Sequence, residues 1–183
     1  ENRRSIRKYK DIPISMEELS YLLWCTQRVK ELIPGKATFR TVPSAGARHP
    51  FETYLLINNV NGLEPGLYRY IALKHKLIPE KMDEDIADRV TKACLDQRFI
   101  KTSAVTFIWA AIPFRAVWRY SERAYRYIHL DAGHVCQNLY LSAEDIDCGV
   151  CAIAAYLDDE INNLLGLDGE NGFVIYIASL GKV

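Results

Sequence analysis

Apolar and polar positions alternate along this chain in two rhythms, and the rhythms divide it into elements. Ser15-Met16-Glu17-Glu18 is a capping box, Ser followed three residues later by Glu. Behind it Leu19, Leu22, Leu23 and Thr26 recur at helical spacing and predict a helix over 16–29. Pro34-Gly35 then breaks the chain. Thr53-Tyr54-Leu55-Leu56-Ile57 is a short run of β-formers, ended by Asn58-Asn59, and predicts a strand. Gly66-Leu67-Tyr68-Arg69-Tyr70 predicts a second strand, with 73–77 as its return in a hairpin. Residues 83–94 predict a helix with Ile86, Val90 and Cys94 on its apolar side. The nearly continuous apolar run at 104–111 predicts a central strand.

A long helix follows over 120–143, with a stretch dense in small and apolar residues from His129 onward. Residues 151–156 lead into a short helix over 158–165 with Asp158 as its cap, and 173–180 form the last strand. Helices and strands mix without a regular βαβ repeat. That order predicts an α+β fold with a largely antiparallel sheet, and one domain spanning 1–183.

Composition narrows the function classes. The 183 residues are 49% hydrophobic and 25% charged, ordinary for a globular chain. Lys+Arg and Asp+Glu are both 23, so no basic excess points to a nucleic-acid partner. No apolar run is long enough to span a bilayer. The N-terminal Glu1-Asn2-Arg3-Arg4-Ser5 lacks the apolar stretch of a signal peptide, so a cytoplasmic location is expected. Five scattered cysteines read as free thiols in a reducing compartment. Cys148 and Cys151 form a C-x-x-C pair, but Gly149-Val150 reads as the link between a helix and an apolar strand, so the structural reading leads the redox one. His129 and His134 are five apart on a helix, a poor spacing for sharing a metal, and no metal is expected.

Three segments carry candidate chemistry. Arg3-Arg4-Ser5-Ile6-Arg7 offers guanidiniums and a hydroxyl to a phosphate dianion; in an extended chain Arg3, Ser5 and Arg7 share one side. Its plainer reading is a basic, poorly ordered terminus. Pro43-Ser44-Ala45-Gly46-Ala47-Arg48-His49-Pro50 is rich in small residues that let backbone approach a ligand, or is a plain surface loop. Trp118 to Tyr127 alternates aromatic and basic residues, which suits a helix face packing Tyr rings on Arg stems.

Taken in order, these segments resemble the nitroreductase-like flavoprotein superfamily, and most of all its SagB-type dehydrogenase branch. Gly66-Leu67-Tyr68-Arg69-Tyr70, Tyr125-Arg126-Tyr127, Leu130-Asp131-Ala132-Gly133-His134, Gln137-Asn138-Leu139 and Gly149 to Tyr156 complete the match, which spans almost the whole chain. The resemblance implies a homodimer with two FMN sites at its interface, and NADH or NADPH as co-substrate. It implies that Arg3, Arg4, Ser5 and Arg7 hold the FMN phosphate and ribityl chain. Pro43, Ser44, Ala45 and Gly46, with His49 close by, match the loop that the second subunit lays against the flavin. Ala154 and Ala155 match the turn whose N–H groups face flavin N5 and O4. Gln97 matches a flavin-approaching position, and Lys182 a basic residue completing the phosphate site.

The implied activity is hydride transfer from NAD(P)H to flavin N5 and on to a small oxidised acceptor, with no protein acid or base required. Two alternatives stand beside it. One is a SagB-type dehydrogenase acting on peptide azolines, which needs partner proteins to present the peptide. The other is a flavin-binding dimer without turnover. Three features depart from the pattern: Ala154 stands where relatives often carry Gly, Arg119-Tyr120 stands where the azoline oxidases carry Lys-Tyr, and the chain stops at Val183 without the C-terminal arm of many relatives.

Overall fold

The computed structural model describes residues 3–183; the first two residues of the stretch read for a signal peptide lie outside it. Six strands form one antiparallel sheet in the order β5-β4-β3-β6-β8-β7. They are β3 (Phe51–Ile57), β4 (Gly66–Ile71), β5 (Lys76–Lys81), β6 (Val105–Ala111), β7 (Cys148–Ile153) and β8 (Phe173–Lys182). All seven residues of β6 are buried, as the unbroken apolar run requires of a strand covered on both faces.

Alternation along the strands splits the core in two. Leu55, Ile57, Phe107, Trp109 and Leu180 face α1 (Met16–Gln27) and α5 (Ala124–Glu144). Tyr54, Leu56, Ile108, Ala110 and Ile177 face α2 (Ile86–Ala93) and α6 (Asp158–Leu165). A short helix, α3 (Phe99–Thr102), precedes β6. Both edges of the sheet are managed. β5 carries Pro79 and the exposed charges of Lys76 and Glu80, which discourage pairing with another chain. Along β7 the N-terminal segment lies as a short parallel addition, with Ser5 bridging Val150 and the Ile6 N–H donating to the Val150 carbonyl at 2.9 Å.

Several expectations shift. Residues 29–40 form a hairpin, β1 (Val29–Ile33) and β2 (Ala37–Arg40), rather than a simple break; its mixed, half-exposed pattern gave no period-2 signal. The return of the β4 hairpin starts at Lys76, not 73, because residues 72–75 are the turn and His75 takes a left-handed φ of 49°. The long helix is interrupted: α4 (Phe114–Tyr120) ends at Ser121, whose φ is 48°, and α5 restarts at Ala124 after a 3₁₀ turn. Leu157, not Asp158, caps α6, and no side chain makes the capping bond; Asp158 sits in the first turn, where its charge suits the helix dipole. The C-x-x-C pair lies inside β7. Three residues apart, the two thiols project to opposite faces with their Cα atoms ~10 Å apart, beyond reach of a disulfide.

Candidate functional site

Two groups of side chains gather at opposite ends of the candidate segments, and α5 stands between them. The first is built on the sheet edge. The N-terminal segment runs along β7, and Tyr140 of α5 ties the two together. Its hydroxyl hydrogen-bonds Ser5 Oγ at 2.9 Å and accepts the Ala152 N–H at 2.9 Å. The Arg3 guanidinium lies 5.3 Å from the Tyr140 ring centroid. Arg7 reaches the Phe99 ring at 6.0 Å and stands beside the Cys151 thiol, which burial pushes up and the Arg7 charge draws back. Neither Arg3, Arg4 nor Arg7 pairs with a carboxylate among the described residues. Arg4 lines an open depression with Lys8 and Lys10.

Ala154 and Ala155 are exposed just beyond the end of β7. Gln97 holds this turn, its amide donating to the Ala155 carbonyl at 2.8 Å and to the Cys94 carbonyl at 2.9 Å. The two residues before it, Leu95 and Asp96, both adopt left-handed φ, 57° and 56°. Ala154 itself is not in that region, so a methyl in place of the relatives' Gly imposes no backbone strain. Lys182 is placed elsewhere. Its ammonium forms an ion pair with Glu18 and donates to the Ile146 carbonyl at 2.7 Å, so it is committed to α1 rather than offered to the arginines.

The second group is the Ser44 loop. Ser44 Oγ donates to Asp131 at 2.6 Å and accepts the His49 N–H at 2.9 Å. The Ala45 N–H is shared between both Asp131 oxygens at 3.1 and 3.2 Å. These bonds hold a bent path: Gly46, Ala47 and His49 have φ of 58°, 53° and 46°. Pro43, Ser44 and Gly46 line one open cavity with His49. A Cβ on Gly46 would overlap the Tyr120 hydroxyl. Asp131 is only 4% exposed, and burial pushes its carboxyl up against the opposing pull of Ser44 and Ala45. His49 is 5% exposed; burial, then the Arg40 charge, lower it to about 4, so it is neutral near pH 7.

Two residues of this arrangement were not singled out from sequence for these tasks: Tyr140 and Asp131. Both act through contacts more than eighty residues away along the chain, which no local pattern reports. They are nine residues apart on α5, hence ~13 Å along its axis and about half a turn around it. The Ser44 loop and the Arg3–Arg7 segment therefore meet opposite sides of one helix.

The Nitroreductase family model matches residues 1–182. The chain belongs to the nitroreductase family. Membership places it among oxidoreductases, and no helix among the described residues is long and apolar enough to cross a membrane. A protein of Methanocaldococcus jannaschii described as a nitroreductase, MJ1384, is 37% identical over 163 residues, 89% of this chain and 80% of that one. The trifolitoxin-processing protein TfxB of Rhizobium leguminosarum bv. trifolii is 28% identical over 154 residues, 82% of this chain and 41% of its own length. Among solved structures, a crystal structure from Anabaena variabilis described as a nitroreductase superposes with a TM-score of 0.82 at 30% identity, covering 99% of this chain and 36% of that one. The chain thus spans less than half of two of these three relatives.

Proposed function

We propose that the chain is one subunit of a homodimeric FMN oxidoreductase that accepts hydride from NADH or NADPH and reduces a small oxidised acceptor. The observation that carries this reading is the set of uncompensated guanidiniums at Arg3 and Arg7, laid along β7 beside Ser5 and leading to the exposed Ala154–Ala155 turn. Arg forks match phosphate oxygens in bidentate fashion, so this edge fits the FMN phosphate. When bound, the flavin supplies the hydride chemistry. The chain's residues bind and orient: Arg3, Arg7 and Ser5 hold the phosphate end, Tyr140 fixes Ser5, and Gln97 fixes the turn that faces the ring.

The half-turn between Asp131 and Tyr140 supports the dimer. A Ser44 loop on the far side of α5 serves a second subunit's flavin more readily than its own. Visible absorbance of the purified protein, with mass spectrometry of what denaturation releases, tests the cofactor. Replacing Arg3 and Arg7 by Ala is expected to weaken FMN binding by several kcal/mol, at about 1.5–3 per charge-assisted bond. Unchanged affinity overturns the phosphate assignment. A monomeric variant that keeps full flavin occupancy overturns the shared site.

The likeness to TfxB favours one second reading, oxidation of azolines in a modified peptide presented by partner proteins. Arg119 stands against it. Its guanidinium lies 5.6 Å from the Tyr120 ring centroid and is not interchangeable with the Lys that the azoline oxidases carry. Turnover of a cyclised peptide by the protein with its partners would favour this reading over NAD(P)H oxidation.

A further inference from the structure

A cavity of about 370 Å³ lies where the β1–β2 hairpin meets β3 and β4, and its charges do not balance. Arg40, Arg48, Arg69 and Arg115 line it, with Glu52 as the one carboxylate and His49 neutral. Glu52 is already saturated. Arg69 donates to its Oε2 at 3.0 and 3.2 Å, and Arg115 bonds its Oε1. Burial would raise the Glu52 carboxyl; the Arg115 and Arg69 charges outweigh it and hold it low, so it is ionised. Glu80 also acts on Arg69, but it does not line the cavity.

Arg40 finds only a neutral partner, Gln27 Oε1 at 2.7 Å. Its Nε is buried and has no hydrogen-bond partner among the described residues. Burial and the nearby Arg115 lower it to about 10, which still leaves it charged at neutral pH. The Glu52 charge supports Arg40 only from a distance, and a guanidinium so partly compensated, with a buried, unbonded N–H, is costly unless something completes it. The volume is that of a small-ligand site, and a lining with three surplus positive charges favours a dianion over a monoanion.

We propose that this cavity binds the phosphoryl group of a small metabolite, held by the guanidiniums of Arg40, Arg69 and Arg115 that line it. The Arg3–Arg7 segment lines none of this cavity; Arg48 and His49, at the end of the Ser44 loop, are the residues it shares with the flavin reading, and neither is used as a phosphoryl donor here.

The test follows the Nε–H signals of protein labelled with ¹⁵N at arginine, as purified, while inorganic phosphate is added at constant ionic strength. The expected result is a saturable shift of one buried Nε–H signal, half complete below about 10 mM, the affinity range of a weak specific site. Arg40→Gln should remove that signal, which assigns it, and should weaken the phosphate response of the Arg69 and Arg115 Nε–H signals about tenfold. Should that variant not fold, Arg69→Gln, on the half-exposed wall, should weaken phosphate about tenfold, the factor a charge-assisted bond carries. Acetate should move the signal far less. No saturable shift, an equal response to acetate, or an affinity untouched by Arg69→Gln each overturns the assignment.

Discussion

Replacing Asp131 separates two ways of holding the Ser44 loop. In Asp131→Ala the Ser44 hydroxyl and the Ala45 N–H lose their acceptor in a place water reaches poorly. Each orphaned buried group costs about 1–3 kcal/mol, so a loss of about 2–6 kcal/mol is expected for the two. Asp131→Asn keeps one carbonyl acceptor and removes the charge. Two charge-assisted bonds become neutral ones, about 1 kcal/mol each, and relief of the burial that raises the carboxyl's pKa returns part of that. The net expectation is about 1–2 kcal/mol, or ~2–8 °C in Tm for a chain of this size. Urea unfolding at fixed protomer concentration measures both, since any oligomer makes stability concentration-dependent. Costs of both below about 0.5 kcal/mol would show that the loop does not depend on this carboxylate, and equal large costs would show that its charge, not its acceptor oxygens, holds the loop.

The His49 imidazole, lowered to about 4, predicts acid sensitivity. An unfolded His protonates near 6.5 while the folded one stays neutral, so stability present above 6.5 falls by about 2–3 kcal/mol as pH drops towards 4; His49→Gln should flatten that slope, and parallel curves would refute it. Gly46→Ala combines a left-handed φ, worth about 1–2 kcal/mol, with an overlap on the Tyr120 hydroxyl, so it should cost more in the native background than in Tyr120→Phe; equal costs would exclude the overlap. Tyr140→Phe leaves the Ala152 N–H without its acceptor and should cost about 1–3 kcal/mol while speeding amide exchange at Ile6 and Ala152; unchanged protection would mean the N-terminal segment is held by other contacts.

The strands of the central sheet were legible because burial on both faces leaves an unmistakable apolar run, as at 105–111. The α1 start was legible too: Ser15 accepts from the Glu18 N–H and Glu18 from the Ser15 N–H, a box written in four consecutive residues. The break at Ser121 was not, because Tyr120 to Arg123 contains neither Gly nor Pro and reads as continuous helix. The Arg3–Arg7 and Ser44 segments were visible as compositions. What fixes them was not, since Tyr140 and Asp131 look like ordinary members of a buried helix until the fold brings their partners across.

Four of the five thiols are buried, and they are divided between the two sides of the sheet. Cys94 belongs to the layer under α2, whereas Cys136 and Cys148 belong to the layer under α5; burial raises all three to about 12. At these three thiols a reagent therefore meets almost no thiolate until a layer opens. The protein carries its own pair of stopwatches: the labelling rate of Cys94 against that of Cys136 reports which half of the sandwich breathes first, with no residue replaced.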